Sequence, residues 1–258
     1  MKHLRYILIH PSKIGLFHKD NFIVVILCFI LFSALLLGAL ALKVFNTSYF
    51  NNQDYDYVIN LVEQNGKNKN TEYANFNFHG EAITIKDSSF ECYILTGDEN
   101  SIKNSGLNLF FKNTEVSVFY HFRLLGRFNY TELGKDISFK VNELNISNEN
   151  YNFRILLDFI FTNVNRAYAS TVYLSNVLSI YQYYLIFCLV VSLIYSYFSN
   201  PSIKFDVRSK LVIYDSLIYF FILFFMVSFD IGFLQYVAIF FPIIYCGITF
   251  SHIIRVQR

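Results

Sequence analysis

The chain has 258 residues, of which 54% are hydrophobic, 19% aromatic and 16% charged, and its net charge is +2. Soluble proteins carry about 25% charged residues, so a water-soluble domain of this composition would have to hide more apolar surface than one core can hold. The small net charge and the lack of a long basic run in the sequence also argue against nucleic-acid binding. The composition therefore predicts a protein that buries its apolar surface in a lipid bilayer.

Residues 1–21 combine apolar side chains with the basic residues Arg5, Lys13 and Lys19, and Pro11 divides the segment. This composition is typical of an amphipathic helix that lies on the surface of anionic lipid. We therefore expect a cytoplasmic amphipathic segment in two short pieces, and we call residues 1–21 the foot.

Four later segments are long and apolar enough to cross a hydrocarbon core of about 30 Å, which takes about 20 helical residues. The predicted transmembrane helices are 22–42, 177–198, 211–229 and 233–254. A cleavable signal peptide is the alternative for the first segment, because "ALA" at 39–41 resembles a cleavage motif. The apolar run is longer than the core of a usual signal peptide, so an uncleaved anchor is expected.

Residues 44–171, between the first two predicted spans, form a polar region that is expected to fold as a separate domain. The segments "EAITIKDSSFECYIL", "NLFFKNTEVSVFYHFRLL" and "ISFKVNEL" have the length and alternation of strands and predict a small antiparallel sheet. A short helix is expected in "NQDYDYVINLVEQ". From "NYNFRILLDFIF" onward the spacing is helical, which predicts an α+β domain ending in an amphipathic helix that rests on the membrane face.

The distribution of charge predicts the orientation of the spans. The foot, the loop 199–210 and the tail 255–258 together hold nine Lys and Arg against two acids, whereas 44–171 holds 11 basic and 15 acidic residues. Because basic residues collect in cytoplasmic loops, both termini and the loop 199–210 are expected in the cytoplasm and 44–171 outside it. The predicted protein is a multi-pass protein of the cell membrane with cytoplasmic N- and C-termini.

Two acids, Asp215 and Asp230, occur in the apolar stretch "YDSLIYFFILFFMVSFDIGF". Asp230 precedes Gly232 between the last two spans and is expected in a water-exposed turn. Asp215 lies about one turn inside the third predicted span, where the helix N-terminus and the neighbouring Arg208 and Lys210 could stabilise a carboxylate. The alternative is an intramembrane proton or ion site, so Asp215 is the candidate functional polar residue in the membrane.

The sequence carries none of the short motifs that mark nucleotide, zinc or serine-nucleophile chemistry. No catalytic residue, cofactor or metal site is predicted. The polar residues of 44–171 that an envelope enzyme would use are His79, Glu81, His121, Glu91 and Asp98. The segment "FHGEA" would place His79 and Glu81 on the same side of a strand, and a cleft that joins them to His121 would favour an enzyme.

The layout resembles that of a bacterial family of four-span membrane proteins of unknown function that includes MalA-type maltodextrin-utilisation proteins. The resemblance rests on "HPSKIGLFHKDN" before the first span, on "AITIKDSSF" and "LFFKNTEVSVFYHFRLLGRFNYTEL" in the inserted domain, and on "IKFDVRSKLVIYDSLIY" before the closing spans. It implies an association with sugar uptake or envelope processes, and it implies no enzyme active site.

Two functions follow as hypotheses. The first is a non-enzymatic membrane protein that acts as an accessory, interaction or sensing component of the cell envelope. Its expected partners are the lipid bilayer and other membrane proteins or further copies of itself, with no nucleic acid. The second is a small transporter or channel component that uses Asp215 and assembles into oligomers, because four spans per chain are too few to enclose a path.

Overall fold

The structure is a computed structural model that describes residues 2–50, 52–87, 90–99, 102, 106–144 and 151–256. The chain divides into two compact units, and we call them the helical unit (Met1–Asn46 and Val172–Arg258) and the β-rich unit (Thr47–Thr171). The fold is mostly helical, and four of its helices are long and apolar enough to cross a membrane. A β-sheet region lies between the first and second of these, which confirms the predicted order of elements.

The foot forms helix α1 (Lys2–Ile9) and a 3₁₀ helix (Pro11–Lys19). The chain breaks at Pro11 because proline has no N–H group with which to continue α1. Helix α2 (Phe22–Phe45) follows, and the side-chain oxygen of its N-cap Asn21 accepts a hydrogen bond of 3.2 Å from an N–H group of the first turn. This helix contains the first predicted span.

Helix α3 (Asn52–Gly66) lies near the start of the β-rich unit, and eight strands follow it among the described residues. They are β1 (Thr71–Ala74), β2 (Asn77–Gly80), β3 (Ile83–Lys86), β4 (Phe90–Ile94), β5 (Leu107–Phe111), β6 (Glu115–Tyr120), β7 (Arg123–Asn129) and β8 (Phe139–Lys140). One sheet has the order β2-β1-β8 and the other the order β3-β4-β5-β6-β7. The prediction of one antiparallel sheet is wrong, because the described strands form two sheets and β4 pairs with β5 in parallel.

Two hairpins of this unit turn on residues in the left-handed region of backbone space. Asn75 and Phe76 join β1 to β2 with φ of 50° and 58°, and His121 and Phe122 join β6 to β7 with φ of 49° and 62°. Two consecutive residues with positive φ are typical of a type I′ turn, which matches the twist of paired strands but usually carries glycine at the second position. Phenylalanine takes that position in both turns.

Helix α4 (Tyr151–Tyr183) begins in the β-rich unit. Its residues Phe153, Leu156 and Ile160 are buried and belong to the same core as the apolar faces of α3 and the two sheets. The expectation that this helix rests on the membrane face is therefore not met over these residues, because their side chains fill the core of the unit instead.

The rest of the helical unit consists of helices in close succession. They are a π-helix (Tyr184–Val191), α5 (Ser192–Ser199), α6 (Phe205–Phe229) and α7 (Leu234–Val256). Helix α6 is the most buried of the four candidate spans, and we call it the central helix. Of its most apolar 18-residue stretch, 61% is buried within the protein, against 22–33% for the other three candidate spans. The predicted tail 255–258 continues α7, and its residues 257–258 lie outside the described residues.

Candidate functional site around Asp215

Asp215 lies on the central helix α6, and its side chain is fully buried. The helix begins at Phe205, so Asp215 is about three turns from its start. The favourable effect of a helix N-terminus on a carboxylate fades beyond the first turn. The expected stabilisation of the Asp215 carboxyl by the helix start is therefore wrong. The polar contact of this side chain comes from another helix.

Thr249 of α7 is the polar partner of Asp215. Its Oγ1 lies 2.7 Å from Asp215 Oδ1 and 3.0 Å from the backbone oxygen of Pro11. The second carboxyl oxygen, Asp215 Oδ2, is buried and has no hydrogen-bond partner among the residues that the structure describes. The foot, α6 and α7 therefore meet at one buried hydroxyl group.

The single hydrogen of the Thr249 hydroxyl limits the hydrogen bonds that this hydroxyl can donate. Thr249 has one hydroxyl hydrogen, yet two acceptor oxygens lie within hydrogen-bond distance of it. A neutral Asp215 carboxyl satisfies both contacts, because its O–H donates to Thr249 Oγ1 while Thr249 donates to the carbonyl of Pro11. With an ionised carboxylate the two acceptors compete for one hydrogen. Uptake or release of a proton would thus change the bond that holds the foot.

Further hydrogen bonds join the foot to α6 and α7. The hydroxyl of Tyr214 donates to the carboxylate of Asp20 at 2.8 Å, and the hydroxyl of Tyr245 donates to the carbonyl oxygen of Leu8 at 3.0 Å. Among the foot residues whose burial the structure describes, three apolar side chains are buried: Ile7, Ile14 and Phe17. The foot was expected to lie on lipid, but these side chains pack within the helical unit.

Arg208 is a second buried ionisable residue of α6, with 1% of its surface exposed. Its guanidinium donates to the backbone oxygens of Asn200 and Ile203, at 2.6 Å and 3.2 Å, and to the hydroxyl of Ser196 at 3.3 Å. No ion pair of Arg208 with Asp215 or another acid is recorded within the described part of the chain. Arg208 therefore holds the turn between α5 and α6, and it does not serve as the expected partner of Asp215.

The π-helix and α5 bring further polar groups to α6 and α7. Tyr184, Cys188, Ser192 and Ser196 are all buried at a spacing of four residues. The Tyr184 hydroxyl lies 2.8 Å from that of Ser216. Short π segments inside α-helices occur often at functional sites. Polar residues that recur every four positions in an apolar span indicate from the sequence that one face of the helix is polar. The same pattern does not indicate the π-helical geometry.

Cys246 of α7 packs against the same face. Its thiol donates to the backbone oxygen of Ser192 at 3.4 Å, a bond that a sulfur atom reaches because of its size. The hydroxyl of Ser192 is buried and has no hydrogen-bond partner among the described residues. The site therefore combines two buried ionisable groups, Asp215 and Arg208, with several hydroxyls of the neighbouring helices.

The polar residues considered for an enzyme do not form a site in the described structure. Glu81 lies outside β2 and pairs with Lys69 at 3.2 Å, so it does not share a strand face with His79. His121 occupies the turn between β6 and β7. The structure records no hydrogen bond that joins these three residues within its described ranges, and no group of His, Cys, Asp and Glu there could hold a metal.

Glu91 and Asp98, the other two acids considered, lie on β4 and after it. Glu91 is buried and accepts a hydrogen bond of 3.2 Å from the hydroxyl of Tyr93. Asp98 lies in the irregular connection that follows β4. Glu91 is therefore bonded to a tyrosine of its own strand.

An ionic cluster of the β-rich unit surrounds Glu99. Its carboxylate oxygens lie 2.5 Å from Lys112 Nζ and 2.8 Å from Arg127 Nη2, and it accepts a bond of 2.8 Å from the hydroxyl of Ser117. Burial alone would raise the pKa of Glu99, but the hydrogen bonds from these three donors outweigh burial and lower it to about 2. The cluster attaches the connection after β4 to the sheet.

Asp230 ends α6 in the left-handed conformation, with φ of 57°. Its side chain is 87% exposed, in agreement with the expected water-exposed turn, and it pairs with Lys43 near the end of α2 at 2.5 Å. The hydrogen bond and the charge of Lys43 lower the pKa of Asp230. The pair joins the first span to the turn between the last two.

Comparisons of the chain with protein-family models, with curated proteins and with solved structures found no match. The resemblance to the four-span family therefore stays a prediction.

Proposed function

We propose that this chain is an integral membrane protein of non-enzymatic type that acts as an accessory or sensing component of the cell envelope. Four apolar helices of sufficient length support the membrane placement. A separately folded unit of 125 residues, Thr47–Thr171, lies in the chain between the first two of them. The distribution of Lys and Arg favours cytoplasmic termini and an extracytoplasmic β-rich unit.

One observation carries this proposal, namely that the buried polar groups of the helical unit bind its own foot. Thr249, Tyr214 and Tyr245 all direct hydrogen bonds to residues of the foot. A short basic segment held to two spans by these hydrogen bonds and by its packed apolar side chains would respond when those spans shift, and its altered surface would be visible to a partner. This is the behaviour required of a sensing or accessory component.

Affinity purification in mild detergent after cross-linking in cells tests the proposal. We expect the full chain to recover either further copies of itself or another membrane protein. Thr249→Val should change the yield of that species, whereas Thr249→Ser, which keeps the hydroxyl, should not. Recovery of this chain alone at its monomer mass would count against an interaction function.

A transporter or channel component is the second candidate, and the buried Asp215 favours it. Its Oδ2 has no hydrogen-bond partner within the described residues, and an ion or a proton could bind to this oxygen. Reconstitution into liposomes with a pH-sensitive dye tests this function. Flux that Asp215→Asn abolishes would support it, and the absence of flux from the wild-type chain would exclude it.

The association with maltodextrin uptake is supported by the layout-level resemblance alone. If it holds, a strain lacking this chain should grow more slowly than its parent on maltodextrin and at the same rate on glucose. Equal growth on both sugars would remove the sugar-uptake part of the proposal and leave the accessory function unaffected.

A further inference from the structure

A cavity of about 580 Å³ lies at one end of the helical unit. Its walls come from residues 12–18 of the foot, from residues 202–207 around the start of α6, and from the end of α7. Docking of the foot creates this cavity. Gly15 allows the close approach, because a Cβ atom there would lie 3.0 Å from the side chain of Ile253.

The charged side chains of this cavity are all basic. Lys13 of the foot and Lys204, the residue before α6, line it, and no acidic side chain of the described residues does. The ammonium group of Lys13 lies 5.4 Å from the centre of the Tyr6 ring, which restricts where the chain of Lys13 can point. Lysines from two different segments therefore contribute to the lining of one concave space, and their positive charges favour an anion there.

Apolar side chains share the lining with the lysines. Leu16, Ile203 and Ile253 contribute to the walls, and Leu16 is 63% exposed. A soluble anion would gain nothing from these residues, whereas an amphiphile would cover them with its acyl chains. The mixed lining therefore fits a lipid better than free phosphate.

The position of the cavity along the spans agrees with a lipid. Four successive spans that cross a bilayer in alternating directions would put the start of α2, the end of α5, the start of α6 and the end of α7 on one side of it. This is the level at which lipid headgroups meet helix ends, and basic pockets between helices at that level bind anionic headgroups.

We propose that this cavity binds an anionic phospholipid, with its phosphate between Lys13 and Lys204 and its acyl chains against Leu16 and Ile203. The inference rests on the proposed membrane placement. Because one wall is the foot and another is the start of α6, a bound lipid would hold the foot in its docked position.

Native mass spectrometry of the purified full chain in detergent, titrated with phosphatidylglycerol and with phosphatidylcholine, tests the site. Each basic residue near an anionic lipid adds to the affinity for that lipid, and removal of two should weaken phosphatidylglycerol binding about 30-fold. We expect this loss of affinity for the double variant Lys13→Gln with Lys204→Gln. The control, Lys19→Gln with Lys210→Gln, removes the same charge from the same two segments outside the cavity and should weaken binding less than about 3-fold.

Three results would overturn the site. They are equal losses in the two double variants, equal affinity of the wild type for the two lipids, and complete displacement of phosphatidylglycerol by millimolar inorganic phosphate, which would assign a soluble anion. Circular dichroism of each variant verifies that the fold is retained. Alkaline extraction of membranes separates the two proposals, because release of the chain would refute membrane placement, while retention without lipid preference would refute only the site.

Discussion

The two units of this protein surround their acids differently, as one partly buried and one fully buried carboxylate show. In the β-rich unit, Glu99 lies among Lys112, Arg127 and a hydroxyl, and both cations are about half exposed. In the helical unit, Asp215 is fully buried and meets one hydroxyl, while Arg208 on the same helix binds carbonyls and a hydroxyl. Near water an ion pair can form with little desolvation, whereas in an apolar interior each charge must be stabilised by neighbouring dipoles or be neutralised.

The largest effect should follow from Arg208→Met, which tests whether the buried cation is structural. The substitution leaves the backbone oxygens of Asn200 and Ile203 without their donor, at a cost of about 1–3 kcal/mol for each unsatisfied buried group. We expect a loss of about 3 kcal/mol and a fall in Tm of about 6–12 °C in detergent. Lys210→Met, two residues further on α6, is the matched control and should change Tm little. Equal shifts in the two variants would show that Arg208 does not hold the turn.

A smaller effect is expected from Thr249→Val, which is nearly isosteric and removes the hydroxyl between Asp215 and the foot. Loss of a buried hydrogen-bonding group costs about 1–3 kcal/mol, so we expect about 2 kcal/mol. Limited proteolysis should also cleave the foot faster, because Pro11 loses its bond. Thr249→Ser should restore both properties, and Ser251→Ala on the exposed side of α7 should alter neither. Unchanged proteolysis in Thr249→Val would mean that this hydroxyl does not hold the foot.

The contribution of Glu99 should depend on pH. Its pKa falls from the ordinary value of 4.5 to about 2 in the folded protein, so its stabilising contribution is present above about pH 4.5 and is lost as pH falls towards 2. Because the partner cations are half exposed, solvent screening reduces the expected contribution to about 1–2 kcal/mol.

Unfolding of the full chain by heat at several pH values measures this contribution. Glu99→Gln should be less stable than the wild type at pH 7, and the difference should shrink as pH approaches 2, where the wild-type carboxyl is itself neutral. Glu72→Gln removes an exposed carboxylate of β1 and serves as the control. A difference that stays constant over the whole pH range would contradict the role of the charge.

The helical unit could be predicted from the sequence to a much greater extent than the β-rich unit. A span needs only enough apolar residues, so composition and length predicted all four candidate helices. The partner of a strand, in contrast, is not encoded locally, and the parallel pairing of β4 with β5 requires a crossover that no alternation pattern reveals. The hairpin at Asn75 and Phe76 was missed because it has no glycine to mark the turn.

The candidate site was predicted only in part, for a similar reason. Asp215 is conspicuous as the acid of an apolar stretch, and this is visible in the sequence. Its hydroxyl partner Thr249 is 34 residues away and the carbonyl of Pro11 more than 200, so neither contact follows from local spacing. Arg208, which precedes Asp215 by two helical turns, was expected to serve it, but the carbonyls of the turn after α5 take its donors.

The smallest effect should come from Asp230→Asn, which removes an exposed ion pair and keeps a residue that tolerates the left-handed conformation. Exposed pairs contribute little because water and salt screen them, so we expect a slight fall in Tm at low ionic strength and none in 1 M salt. Asp230→Gly separates the two roles of this position, since it removes the same charge but relieves the backbone at positive φ. We therefore expect Asp230→Gly to be at least as stable as Asp230→Asn in 1 M salt. If Asp230→Asn instead lowered Tm by the same amount at both salt concentrations, salt would not screen the contact with Lys43. The pair would then behave like the buried groups of α6 and not like the screened cluster of the β-rich unit.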